Sequence, residues 1–155
     1  MLAPGSNKLG DAHGLLSGLW LATTDADSVV PPEWFVDQLR WRNQGYDAVA
    51  GTVDVSDWTN HDALVRTRFA SHYAWDGPQH PHVHGANLSF TAAAYVAVGG
   101  LPPLVLAEDH ALVAALEAHG LRVARPAANP VSTSARQDPR CEGGFGTLLT
   151  TLAYG

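Results

Sequence analysis

Two aspartates one residue apart, Asp25 and Asp27, close the apolar run Trp20 to Thr24. Alternate residues of an extended backbone project to one side, so both carboxylates reach the same space, where a hard divalent cation could bridge them to a ligand's phosphates. The same residues, with Ser28 and the Pro31-Pro32 pair behind them, also make a good turn and helix entry. Further along, Glu108 and Asp109 stand together at the start of an amphipathic stretch, a place where acids commonly cap helices and offset their dipole. His80, His82 and His84 alternate, so in an extended segment they share a face, a spacing metal sites use; the plain alternative is an exposed His-rich loop. Arg136 and Arg140 lie four apart.

The elements that must hold these groups follow from pattern. Trp20 to Thr24 suits a buried strand, and ligands of open α/β sheets gather at the carboxyl ends of such strands. Asn7 to Leu19 carries Leu9, His13, Leu16 and Leu19 at helical spacing, weakened by its glycines. Pro31 and Pro32 open a helix with Glu33 in its first turn that runs through Trp41 and stops at Gly45. Asp47 to Val55 alternates small and β-branched residues as a second strand would. Asp62 to Trp75 returns to helical spacing, and Asp76-Gly77-Pro78 breaks it. Gly85 to Phe90 reads as a third strand, and Thr91 caps a short helix that ends at Gly99-Gly100. Glu108 begins a helix with Leu112, Val113 and Leu116 on one face and a stop at Gly120, followed by a strand over Leu121 to Arg125. The rest is a Pro- and Ser-bearing connection and a last helix from Phe145 to about Tyr154. This alternation predicts an α/β fold, with a mostly parallel sheet flanked by helices, in one domain over residues 1–155.

Composition narrows the function. At 155 residues, 46% apolar and 15% charged, the chain has the makeup of a folded single domain. Its net charge of -6 with nine basic residues gives no electrostatic footprint for nucleic acid, and an anionic ligand would need a local cation. The single cysteine, Cys141, excludes an internal disulfide and a cysteine metal cluster. Met1 to Gly10 shows no signal peptide, and Ala92 to Ala107 is too short and broken to span a bilayer, so a cytoplasmic protein is expected.

The order Thr24-Asp-Ala-Asp27, Gly85-Ala-Asn-Leu-Ser-Phe90, Val98-Gly-Gly100, Ala107-Glu-Asp109 and Ser134-Ala-Arg136 through Arg140 resembles the carboxyl-terminal two-thirds of a family 2 glycosyltransferase with the GT-A fold. The resemblance implies transfer of a sugar, with inversion, from a nucleotide-diphosphate sugar to an acceptor hydroxyl. It implies Asp27 on a Mn or Mg ion that holds the donor's diphosphate, and Asp25 beside it, near the ribose or the same ion. It makes Asp109, paired with Glu108, the base that takes the acceptor's proton. Arg136 and Arg140 would face the diphosphate or the acceptor, Asn87 the acceptor region, and His84 would complete the metal shell. Asn87 is equally readable as a buried amide satisfied by backbone.

The family's first strand, of the Val-Val-Pro-Ala-Tyr-Asn kind, and the βα units that bind the base have no counterpart here. A truncated GT-A domain is therefore expected, inactive or weak alone, with Trp20 to Thr24 left as a sheet edge that favours self-association. A non-catalytic half-domain serving as an interaction module is the alternative. Asp25-Ala-Asp27-Ser-Val29 also has the Asp-x-Asp-x-Val form of haloacid-dehalogenase-like phosphatases, but that family needs a downstream lysine, and the one lysine here, Lys8, lies upstream.

Overall fold

The computed structural model describes Leu16, residues 18–136 and residues 144–154. Strand β1 (Trp20–Thr23) is followed by helix α1 (Trp34–Asn43), strands β2 (Ala48–Ala50) and β3 (Val53–Val55), and helix α2 (Ala63–Tyr73). A 3-10 turn (Gly85–Asn87) leads into β4 (Leu88–Thr91) and α3 (Ala92–Ala97), then α4 (Glu108–Ala118), β5 (Val123–Ala124), β6 (Val131–Thr133) and α5 (Phe145–Tyr154). The helix expected over Asn7 to Leu19 falls, all but its end, outside the described residues.

Four strands form the main sheet in the order β1-β4-β2-β5, and β3 pairs with β6 in a second, two-stranded sheet. The α/β class is as expected. Within it β4 runs antiparallel to both of its neighbours, while β2–β5 and β3–β6 are parallel, so the pairing is more evenly mixed than the alternation of elements suggests. Among the described residues β1 is an edge strand of the main sheet, as expected.

The segment read as one strand over Asp47 to Val55 is two strands in two sheets. Gly51 and Thr52 part them, because Asn87 is wedged there: Gly51 N–H donates to the Asn87 carbonyl (2.8 Å) and the Asn87 amide donates to the Thr52 carbonyl (2.8 Å). A Cβ on Gly51 would lie 2.3 Å from Asn87 Nδ2, so only glycine passes. The same wedge explains why Gly85 to Asn87 coils into a 3-10 turn before β4 begins, with Asn87 N–H donating to the His84 carbonyl (2.9 Å). The β6 strand, inside what reads as a connection, is too short to carry a periodic signal.

Capping behaves as the sequence predicts. Thr91 Oγ1 accepts from Ala94 N–H (3.0 Å), and Gly45 ends α1 in the left-handed region. The core lies between the main sheet and α4, where Leu112, Val113 and Leu116 meet Ala48, Ala50, Leu88 and Phe90. Truncating one of these leucines to alanine should cost roughly 2–5 kcal/mol.

Candidate functional site

Two hydrogen bonds through Gly85 bring the carboxyl end of β1 to the start of α4. Thr23 Oγ1 donates to the Gly85 carbonyl (2.7 Å), which fixes the end of β1 against the 3-10 turn. Gly85 N–H donates to Asp109 Oδ2 (2.8 Å), which fixes the first turn of α4 against the same residue. Asp109 Oδ1 accepts from His110 N–H (2.8 Å). Ala107, in the left-handed region at φ 58°, turns the chain so that Glu108 and Asp109 open the helix without a capping side chain in front of them.

The result is one cavity of about 630 Å³ whose wall includes Asp25, Glu108 and Asp109 together. His84, Gly85, Thr133 and Phe145 contribute to the same wall. The Asp25 carboxyl is raised above its ordinary range, by burial first and then by Asp27, Asp109 and Glu108, whose negative charges all disfavour its ionised form. Glu108 is exposed and Asp109 half-buried.

Asp27 lies in the turn just beyond. Its Oδ2 accepts from Arg136 Nη2 (2.8 Å), and both residues line a smaller hollow of about 240 Å³. Thr133 borders both hollows, so the Asp27–Arg136 pair adjoins the acid-lined cavity. The pairing of Ser132 with Val29 and the contact of Ser28 Oγ with Thr133 Oγ1 (3.0 Å) hold this turn against β6. Arg140 lies outside the described residues, as does Cys141.

The histidines are not an exposed loop. His80 is 1% exposed, and the rings of His80, His82 and His84 stack in series, with Tyr73 lying 3.9 Å from His82 at an interplanar angle of 2°. Val53 N–H donates to Tyr73 Oη (2.9 Å), and the phenol also shares a hydrogen bond with His84 Nε2, 3.0 Å away. Burial pushes the Tyr73 phenol up to about 12 and the His84 imidazole down to about 4, so both are neutral near pH 7. His84 thus borders the cavity with Nε2 engaged by Tyr73.

Asn87 faces a different hollow. Its Oδ1 accepts from Trp34 Nε1 (2.8 Å) and its Nδ2 serves Thr52, so the amide is spent on both sides. It lines a cavity of about 270 Å³ beneath α1 with Trp34, Gln38, Trp41 and Asn129. The structure therefore groups Asp25, Glu108, Asp109 and His84, sets Asp27 and Arg136 beside them, and holds Asn87 apart.

Sequence reasoning missed Thr23, Tyr73 and Thr133. Tyr73 and Thr133 are far in sequence from the acids and belong to no motif. Thr23 offers one faint signal, a β-branched hydroxyl two residues before Asp25.

Among the described residues no three His, Cys, Asp or Glu side chains are grouped closely enough to form a preassembled metal cage. The donors present are hard oxygens, crowded enough to raise the Asp25 carboxyl. Mg-type ions are held by one or two carboxylates completed by water and substrate phosphates, not by all-protein cages, and the acids fit that manner of binding.

The architecture is that of a glycosyltransferase-like α/β fold. It is similar to the solved structure of the mannosyltransferase PcManGT from Pyrobaculum calidifontis in complex with GDP-Man and Mn2+, with a TM-score of 0.53 and 19% sequence identity. The match covers 98% of this chain and 49% of that one, so the chain spans about half the length of its structural neighbour. At that identity the likeness carries the fold and not the chemistry. No protein-family model matches the chain, and no curated protein matches it significantly.

Proposed function

We propose that the chain is the acid-bearing part of a metal-dependent, inverting glycosyltransferase of the family 2 kind, using a nucleotide-diphosphate sugar as donor. The observation that carries this reading is the shared cavity: the acid at the end of β1 and the acid pair at the start of α4 line one hollow. The fold's likeness to a mannosyltransferase bound to GDP-Man and Mn2+ agrees with it.

Asp25 and Asp27 would hold a Mn or Mg ion, which when bound supplies Lewis-acid neutralisation of charge on the departing diphosphate. Arg136 and Arg140 would add guanidinium donors to the same diphosphate. Asp109 acts on the acceptor: its carboxylate takes the hydroxyl proton as the oxygen attacks the anomeric carbon, and the electron pair of the breaking bond leaves on the diphosphate oxygen. Gly85 N–H steadies Asp109 for that step, with Glu108 beside it in the same wall. His84 would reach an ion through Nε2 only by exchanging Tyr73 for it. Asn87 acts through the backbone it positions, since its amide is already engaged.

The test is a transfer assay with manganese and a nucleotide-diphosphate sugar. Asp109→Asn is expected to lower turnover by about a hundredfold or more while donor affinity is kept, as removal of a general base does. Loss of donor affinity in that variant would show that Asp109 serves the donor instead.

A further inference from the structure

Resting on that reading, the lip of the acid-lined cavity says what kind of acceptor it takes. The loop between α3 and α4, Leu101-Pro-Pro-Leu-Val-Leu106, presents Leu101 (42% exposed), Leu104 (52%), Val105 (96%) and Leu106 (46%) to the outside. Single exposed apolar residues are ordinary, but a contiguous run of them is not. This run leads directly into the reacting groups, for Val105, Leu106 and Ala107 line the cavity immediately before Glu108 and Asp109.

The rest of the wall has apolar residues as well, Val53, Val83, Phe145 and Leu148 among them. No lysine or arginine is among the described residues that line it. Its ionisable groups are carboxylates and histidines. An acceptor with its own phosphate or carboxylate would meet the carboxylates of Asp25, Glu108 and Asp109 there, with no lysine or arginine among the described lining residues to offset them.

We propose that the cavity takes a neutral acceptor whose hydroxyl-bearing head enters toward Asp109 while an apolar tail lies along Leu104, Val105 and Leu106. The lip removes the tail from water, a gain that grows with the apolar area buried. Specificity is then set by the tail and by the absence of charge on the head. The Pro102-Pro103 pair stiffens the lip by fixing two backbone angles, so less freedom is lost when the tail docks.

Calorimetric titration of the chain with two neutral glycosides, methyl β-glucoside and octyl β-glucoside held below its micelle concentration, tests this without any need for turnover. The octyl compound is expected to bind at least about tenfold more tightly, and the double variant Val105→Ser, Leu106→Ser to abolish that preference. Val105 stands almost wholly in solvent, so the exchange there removes no core contact. Leu64→Ser, at an exposed apolar residue on α2, is the control that keeps the preference. Equal binding of the two glycosides, or a preference that survives the double variant, overturns the proposal. Binding of the chain to neutral lipid vesicles with no discrimination between the glycosides also overturns it, since the loop would then be a membrane contact. A tail preference without sugar transfer from any donor would instead sink the transferase reading and leave the acceptor site standing.

Discussion

Two cavities share the segment from Gly85 to Asn87, and they differ in how their polar groups are spent. Beneath α1, Trp34, Asn87 and Thr52 satisfy one another, Asp37 is engaged by Arg40 and Asn129, and among the described residues that line the cavity Gln38 Nε2 is the buried side-chain atom left without a partner. On the other side, Asp25 is crowded by Asp27, Asp109 and Glu108, and its carboxyl is raised rather than matched by a cation. The first arrangement locks a turn; the second leaves negative charge for something else to neutralise. A rigid wedge on one side of a short turn thus carries the crowded acids on the other.

The comparison breaks most severely at Gly51. Gly51→Ala would drive a methyl group into Asn87, and a loss of about 3 kcal/mol in urea denaturation is expected, in the range that overpacking imposes. A loss near zero would mean that the Asn87 wedge gives way and is not the fixed side.

The wall of the acid-lined cavity responds to pH. His84 has its pKa lowered in the fold from 6.5 to about 4, so between those values the unfolded chain holds the extra proton. The stability contributed by neutral His84 is full above pH 6.5 and is lost as pH falls toward 4. The loss should be on the order of 2 kcal/mol, and His84→Gln should flatten that part of the profile, followed by denaturation at pH 7 and pH 4.5. An unchanged profile in the variant would place the titrating group elsewhere.

The smallest effect sharpens the contrast. Asp25→Asn removes one member of a like-charged cluster, so the unliganded fold should become more stable, by under about 1 kcal/mol for so open a site, while affinity for manganese falls. A destabilised variant would show that Asp25 is held by partners in the fold and is not crowded.

Much of this was legible in sequence wherever a local signal existed. The helix over Glu108–Ala118, the Thr91 cap and the Gly45 stop follow from apolar spacing and terminal residues, and the structure shows all of them. The acids were legible as chemistry because two carboxylates at a strand end and two at a helix start are unusual neighbours. The division of Asp47 to Val55 was not, since it depends on a side chain 36 positions away filling the space over Gly51. The histidines show the same limit. Their alternation suggests a shared face, but stacking on Tyr73 and the hydrogen bond that engages His84 are tertiary facts.

Manganese added with a nucleoside diphosphate, followed by paramagnetic broadening of assigned amide and indole signals, tests the central claim most directly. The account predicts broadening that is strongest at Asp25, Asp27, Gly85 and Asp109 and weaker at the indole N–H signals of Trp34 and Trp41. Broadening centred on the tryptophans, or none near Asp25 and Asp109, would contradict it.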